Sequence, residues 1–230
     1  MSIKALFFDL DGLLLDTEKI YLHCWIKAAE ELGYHLEKNI ALQLRSSDSE
    51  LARKIIEANL HDPYAYDSIR ARRKKLMSSY IEANPIEIKR GVVNFFEVEE
   101  LKKYRKYIIT SAVPDEKLAI LKENGIMNKI DKVITTGQVK RGKPYPDIYL
   151  YAMKEANVSN EECIAFEDSP NGVMSASNAG CKVVMIPDLT QPSKKLSKRC
   201  DYIIQTLFDF IQYLTQDKIN LHENCNNMSQ

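Results

Sequence analysis

The sequence predicts a doubly wound parallel α/β sheet, interrupted after its first strand by an all-helical insertion. Three observations carry that expectation. Six short runs of nearly continuous apolar character are spaced along the chain, helical patterns lie between most of them, and residues 17–88 hold helical patterns alone. Continuously apolar strands suit a sheet covered on both faces. Strands alternating with helices imply parallel pairing through helical crossovers.

The strand candidates are "ALFF" (5–8), "YIIT" (107–110), "KVIT" (132–135), "CIAF" (163–166), "KVVMI" (182–186) and "YII" (202–204). One crossover helix starts at Pro114-Asp115-Glu116, with proline and acids in its first turn, and stops at Gly125. A second runs from about residue 146 to 156, and a third, "NGVMSASNAG" (171–180), has small residues that let it lie close to a sheet. The insertion contains helical stretches near 17–32, 47–59 and 64–83. On the first of these Trp25, Ala28, Ala29 and Leu32 recur at helical spacing and read as a packed face. The expected division is a core of residues 1–16 and 89–230 with a helical domain of residues 17–88. The polar tail from Thr215 reads as loose.

At 230 residues the chain can bury a sizeable core. Its 32 basic and 32 acidic residues balance, which argues against a surface built to neutralise nucleic-acid phosphates. The one basic run, "RARRKK" (70–75), reads as the solvated face of a helix. Five cysteines, 24, 163, 181, 200 and 225, lie in no C-x-x-C pair and suggest reduced thiols. The first apolar run is short and broken by Asp9, and no stretch approaches transmembrane length. The expectation is a soluble, cytoplasmic monomer with no nucleic-acid or membrane partner.

In a doubly wound sheet, ligands bind at the carboxyl ends of the strands. The first strand ends in Asp9-Leu10-Asp11-Gly12, the second in Thr110-Ser111-Ala112 and the fourth in Glu167-Asp168-Ser169. After the third comes "GKPYPD", which holds Lys143 between glycine and proline. If extended backbone persists past the first strand, its period of two points Asp9 and Asp11 to one side. Asp9, Asp11 and Asp168, with Glu167 near, cannot easily stay ionised together without a cation. All-oxygen ligation suits Mg2+. Lys143 supplies a point charge for a phosphate and Ser111 a hydroxyl donor, a set suited to phosphoryl transfer. No G-x-x-x-x-G-K-[ST] sequence occurs, so the site is not a P-loop. Asp9 is assigned as the attacking carboxylate, forming an aspartyl phosphate. Asp11 is assigned as the acid that protonates the leaving alcohol and then as the base that activates water.

With "FDLDG", "TSA", "GKPYPD" and "FEDSPNG" together, the chain resembles the haloacid dehalogenase superfamily phosphatases. More narrowly it is similar to the subfamily with a helical cap after the first strand, which includes β-phosphoglucomutases and pseudouridine 5'-phosphatases. The resemblance implies that the backbone carbonyl of Asp11 joins the carboxylates of Asp9 and Asp168 on Mg2+. It implies phosphate binding by Ser111, the Ala112 amide and Lys143, with Glu167 supporting the metal ligands from behind. Thr17 would be a hinge residue that hydrogen-bonds near Asp11. The mutases carry a cap histidine against the acid/base residue; here Tyr21 stands at that position, either lining the site or packing in the cap. In "LQLRSSDSE" (42–50) Arg45 remains where mutases carry cationic residues for a second phosphate, and it reads either as a substrate contact or as an ion-pair residue. The expected activity is therefore Mg2+-dependent hydrolysis of small phosphorylated metabolites, sugar phosphates or nucleoside monophosphates. A sugar phosphomutase of the β-phosphoglucomutase type is the alternative.

Overall fold

A computed structural model describes residues 2–111 and 115–216. Six strands, β1 (Ala5–Phe8), β2 (Arg105–Thr110), β3 (Lys132–Thr135), β4 (Cys163–Glu167), β5 (Lys182–Met185) and β6 (Tyr202–Ile203), form one parallel sheet in the order β3-β2-β1-β4-β5-β6. The order reverses direction at β1, so the crevice beside that strand's carboxyl end is the place where such a sheet holds a ligand.

The alternation of side chains sorts β1 between two cores. Leu6 and Phe8 join one apolar cluster, Ala5 and Phe7 the other. Phe8 and its parallel partner Phe166 stack at 4.9 Å between ring centroids. Around the sheet the helices in chain order are α1 (Glu18–Glu31), α2 (Lys38–Ala41), α3 (Ser49–Leu60), α4 (Ala65–Ala83), α5 (Val92–Glu97), α6 (Asp115–Glu123), α7 (Asp147–Ala156), α8 (Pro170–Asn178), α9 (Lys194–Ser197) and α10 (Leu207–Thr215). Phe95 of α5 and Phe210 of α10 cover the Phe8 side, whereas Tyr149 of α7 and Val173 of α8 cover the Phe7 side. Helix α8 starts one residue before the expected stretch and ends two residues short of its end: Ser169 accepts a hydrogen bond from the Gly172 amide, and Pro170 opens the first turn.

Between β1 and Ile88 the chain is helical, from α1 to α4. These helices bury a cluster of their own, with Trp25, Ala28, Ala29, Leu44, Ile56 and Ile69 at its centre. Leu32 is a correction to the predicted packed face: it is 42% exposed. Helix α1 ends at Glu31 and Gly33 takes a left-handed φ of 81°, so Leu32 leaves the helical register before it can reach the core. Among the described residues, no helix is long and apolar enough to cross a membrane.

Candidate active site

The site begins where β1 gives way to a turn. The Asp9 amide still donates to the Phe166 carbonyl at 3.1 Å, continuing the ladder. The Leu10 carbonyl then accepts from both Leu14 and Leu15, and the Gly12 amide donates to the Leu15 carbonyl. Extended backbone therefore does not persist to Asp11. Gly12 has φ of 84°, and a Cβ there would run into the Asp168 carboxylate, so only glycine lets the turn pass this close to β4.

The two aspartates consequently meet different partners. Asp9 is buried and its Oδ1 pairs with the Lys143 ammonium. Lys143 is completely buried and bridges to Glu167 Oε1 at 2.6 Å, while donating to the Ile109 carbonyl at 3.3 Å. The Tyr149 hydroxyl donates to the same Glu167 oxygen. Burial pushes the Asp9 carboxyl up to about 8, with Lys143 opposing the shift and the charges of Glu167 and Asp11 adding to it. Asp11 instead accepts from the Thr17 hydroxyl at 2.6 Å and from Lys117, whose ammonium spans both carboxylate oxygens at 2.6 and 2.7 Å. Lys117 also donates to the Tyr21 hydroxyl at 3.2 Å. Although burial disfavours the charged ammonium, the Asp11 carboxylate outweighs it and the Lys117 pKa rises.

Asp168 follows β4, fully buried, and one of its oxygens is held by the Arg45 guanidinium. Arg45 reaches over from the helical insertion and also donates to Glu18 at 3.0 Å and to Thr190 at 3.2 Å. Arg45 makes these ion pairs and also lines the cavity beside Asp9 and Asp11. Burial drives the Asp168 carboxyl well above its usual range, with Arg45 opposing.

One buried oxygen on each of three acids has no hydrogen-bond partner: Asp9 Oδ2, Glu167 Oε2 and Asp168 Oδ1. These three residues each offer a carboxylate oxygen within 4.8 Å of the others. Oxygen donors alone, at that spacing, fit a hard divalent cation. The Asp11 carboxylate is outside this triad, turned toward Thr17 and Lys117. Glu167 is inside it, and Gly172 leaves the space its carboxylate fills. The Ser111 hydroxyl is buried without a partner and lines the same cavity as Asp9 and Asp11. Ala112 lies outside the described residues, as does Pro114.

That cavity, about 630 Å3, extends from the strand ends into the helical insertion. Its walls include residues that strand-end reasoning does not find. Lys117 has a faint signal: a lysine in the first turn of a helix opposes the macrodipole and so asks for an anionic partner. The second is a correction. The run 70–75 is not wholly a solvated face, because Arg70, Arg73 and Lys74 line the cavity. Helix α4 packs along α1 and turns one side of that run inward; the composition of the run says nothing about which side.

A sheet of this topology that gathers three acids and a lysine at its switch point offers a site suited to a divalent cation and an anionic ligand. The profile of the haloacid dehalogenase-like hydrolases matches residues 6–186. A phosphorylated carbohydrates phosphatase of Thermotoga maritima is 29% identical over 182 residues, covering 77% of this chain and 82% of its own. A Drosophila melanogaster protein named for pseudouridine-5'-phosphatase activity is 30% identical over 215 residues, 88% of this chain and 89% of its own. A hydrolase from Pseudomonas syringae shares the fold at TM-score 0.79 and 20% identity, with 93% of this chain and 98% of that one covered. The chain belongs to the haloacid dehalogenase-like hydrolase family, among relatives named as phosphatases, and it is an enzyme.

Proposed function

We propose that the protein is a Mg2+-dependent phosphatase of small organic phosphate monoesters, working through an aspartyl phosphate on Asp9. The observation that carries the reading is the pairing of unlike carboxylates at one cavity. Asp9 keeps a free oxygen beside Lys143, while Asp11 is held apart by Thr17 and Lys117. Substrates of the sugar phosphate or nucleoside phosphate kind accord with the names of the two relatives.

In this reading Asp9, Glu167, Asp168 and the Asp11 carbonyl would hold the cation, which when bound would supply charge neutralisation for the phosphoryl oxygens. Lys143, the Ser111 hydroxyl and the Ala112 amide bind the transferring phosphoryl group. A carboxylate oxygen of Asp9 attacks phosphorus as the bond to the ester oxygen breaks, and Asp11 gives its proton to the departing alkoxide. Water then attacks the aspartyl phosphate, Asp11 takes the water's proton, and inorganic phosphate leaves with Asp9 restored. The helices of residues 17–88 act as a cap that closes over the leaving group, with Thr17 at the hinge.

The test is Asp9→Asn. Release of inorganic phosphate from p-nitrophenyl phosphate should fall by about a thousandfold or more while the thermal unfolding transition remains cooperative. EDTA should stop the wild-type reaction and Mg2+ restore it. Turnover that survives the substitution, or is indifferent to chelation, rejects this mechanism.

A further inference from the structure

The cations of the cavity are not equally neutralised. Where the insertion meets the core, Lys117 is paired with Asp11, and Arg45 with Glu18 and Asp168. On the cap side Arg70, Arg73 and Lys74 line the wall, and among the described residues none has a carboxylate within ion-pair distance. The contrast holds within one helix. Arg72, on the outer side of α4, pairs with Glu31, whereas the adjacent Arg73 packs beside the Tyr21 and Trp25 rings. Its guanidinium carbon lies 5.1 Å from the Tyr21 ring centroid and 5.0 Å from that of Trp25. Its Nε is buried with no hydrogen-bond partner, and burial pulls its pKa down.

A largely desolvated guanidinium without an ion-pair partner, with two further cations on the same wall, is unfavourable unless an anion arrives with the substrate. A guanidinium packed beside two rings loses little further freedom on binding, and its fork of donors suits a carboxylate or a phosphate. We infer that Arg73, flanked by Arg70 and Lys74, receives a second anionic group on the leaving part of the substrate. The preferred substrates are then compact polyol phosphates carrying a second phosphate or a carboxylate away from the ester that is cleaved. The cavity volume, about 630 Å3, admits a molecule of that size. This inference rests on the phosphatase reading and names its substrate class.

The experiment compares kcat/KM for Mg2+-dependent phosphate release from four probes. Fructose 1,6-bisphosphate carries the second phosphate, 3-phosphoglycerate carries the carboxylate, and glycerol 3-phosphate and p-nitrophenyl phosphate carry neither. Wild-type enzyme should favour at least one doubly anionic probe over both singly anionic ones, and which one identifies the second group. In Arg73→Ala the ratio of doubly to singly anionic kcat/KM should fall about thirtyfold or more, the loss expected for a desolvated charge pair. Arg73→Lys should recover part of it. An unchanged ratio in Arg73→Ala, or a wild type that prefers the singly anionic probes, overturns the inference while leaving the phosphatase intact. No phosphate release from any probe instead overturns the phosphatase reading. Binding of phosphate to Arg73→Ala, read by thermal shift, distinguishes a folded variant from a collapsed one.

Discussion

At the scale of single residues, the site separates two acids by giving them different cations. Asp9 shares Lys143 with Glu167, and Asp11 has Lys117 to itself. Lys117 spans both Asp11 oxygens and also touches Tyr21, so its effect is to set the carboxylate's orientation toward the cavity. Replacing it with methionine removes that constraint and leaves a buried carboxylate without its cation. If Asp11 is the acid/base group proposed above, the expected result is a fall in kcat of about tenfold to a hundredfold with a smaller change in KM, because its orientation acts mainly in the transition state. Steady-state kinetics on p-nitrophenyl phosphate measure the split, and Lys117→Arg should recover part of kcat. A variant altered only in KM would place Lys117 among groups that bind the ground state.

At the scale of elements, helix α8 is pressed against the end of β4. Gly172 is the third residue of α8, and any side chain there would collide with the Glu167 carboxylate. Glu167 has little freedom to yield, since Tyr149 and Lys143 both hold it. Gly172→Ala should therefore cost stability, against the usual gain from replacing glycine inside a helix. Overpacking of this kind costs about 1–3 kcal/mol. For a chain of this size each kcal/mol moves the thermal midpoint by about 2–4 °C, so a fall of roughly 2–12 °C is expected in a melting curve. A midpoint that rises would mean that α8 has room to shift outward.

At the scale of the molecule, the helical insertion and the sheet meet through charge as well as through apolar contact. Arg45 carries the insertion's cation to Asp168 of the core, and Glu18 of α1 shares it. The proposed cation at Asp9, Glu167 and Asp168 would bind the folded state and not the unfolded chain. Mg2+ at about a hundred times its dissociation constant should then stabilise the fold by about 2.7 kcal/mol. The corresponding rise in midpoint is about 5–11 °C. Asp168→Asn should abolish that rise, and a shift that persists in the variant would move the cation elsewhere.

The sequence by itself determined the features that local chemistry dictates. The apolar runs marked all six strands, and most plainly β1, β2, β4 and β5, because a strand covered on both faces has little need of polar residues. Asp9, Ser111 and Asp168 could be singled out because each stands at or just beyond a strand end, where this topology collects ligands, and Lys143 because it lies in the loop that follows β3. Tertiary structure alone decided who pairs with whom. Lys143 meets Asp9 across 134 residues of chain, Arg45 meets Asp168 across 123, and Lys117 meets Asp11 across 106. No period or propensity reaches that far. The inward turn of Arg73 has the same cause: a helix shows its periodicity in sequence, but the direction its charged side faces is set by the neighbour it packs against.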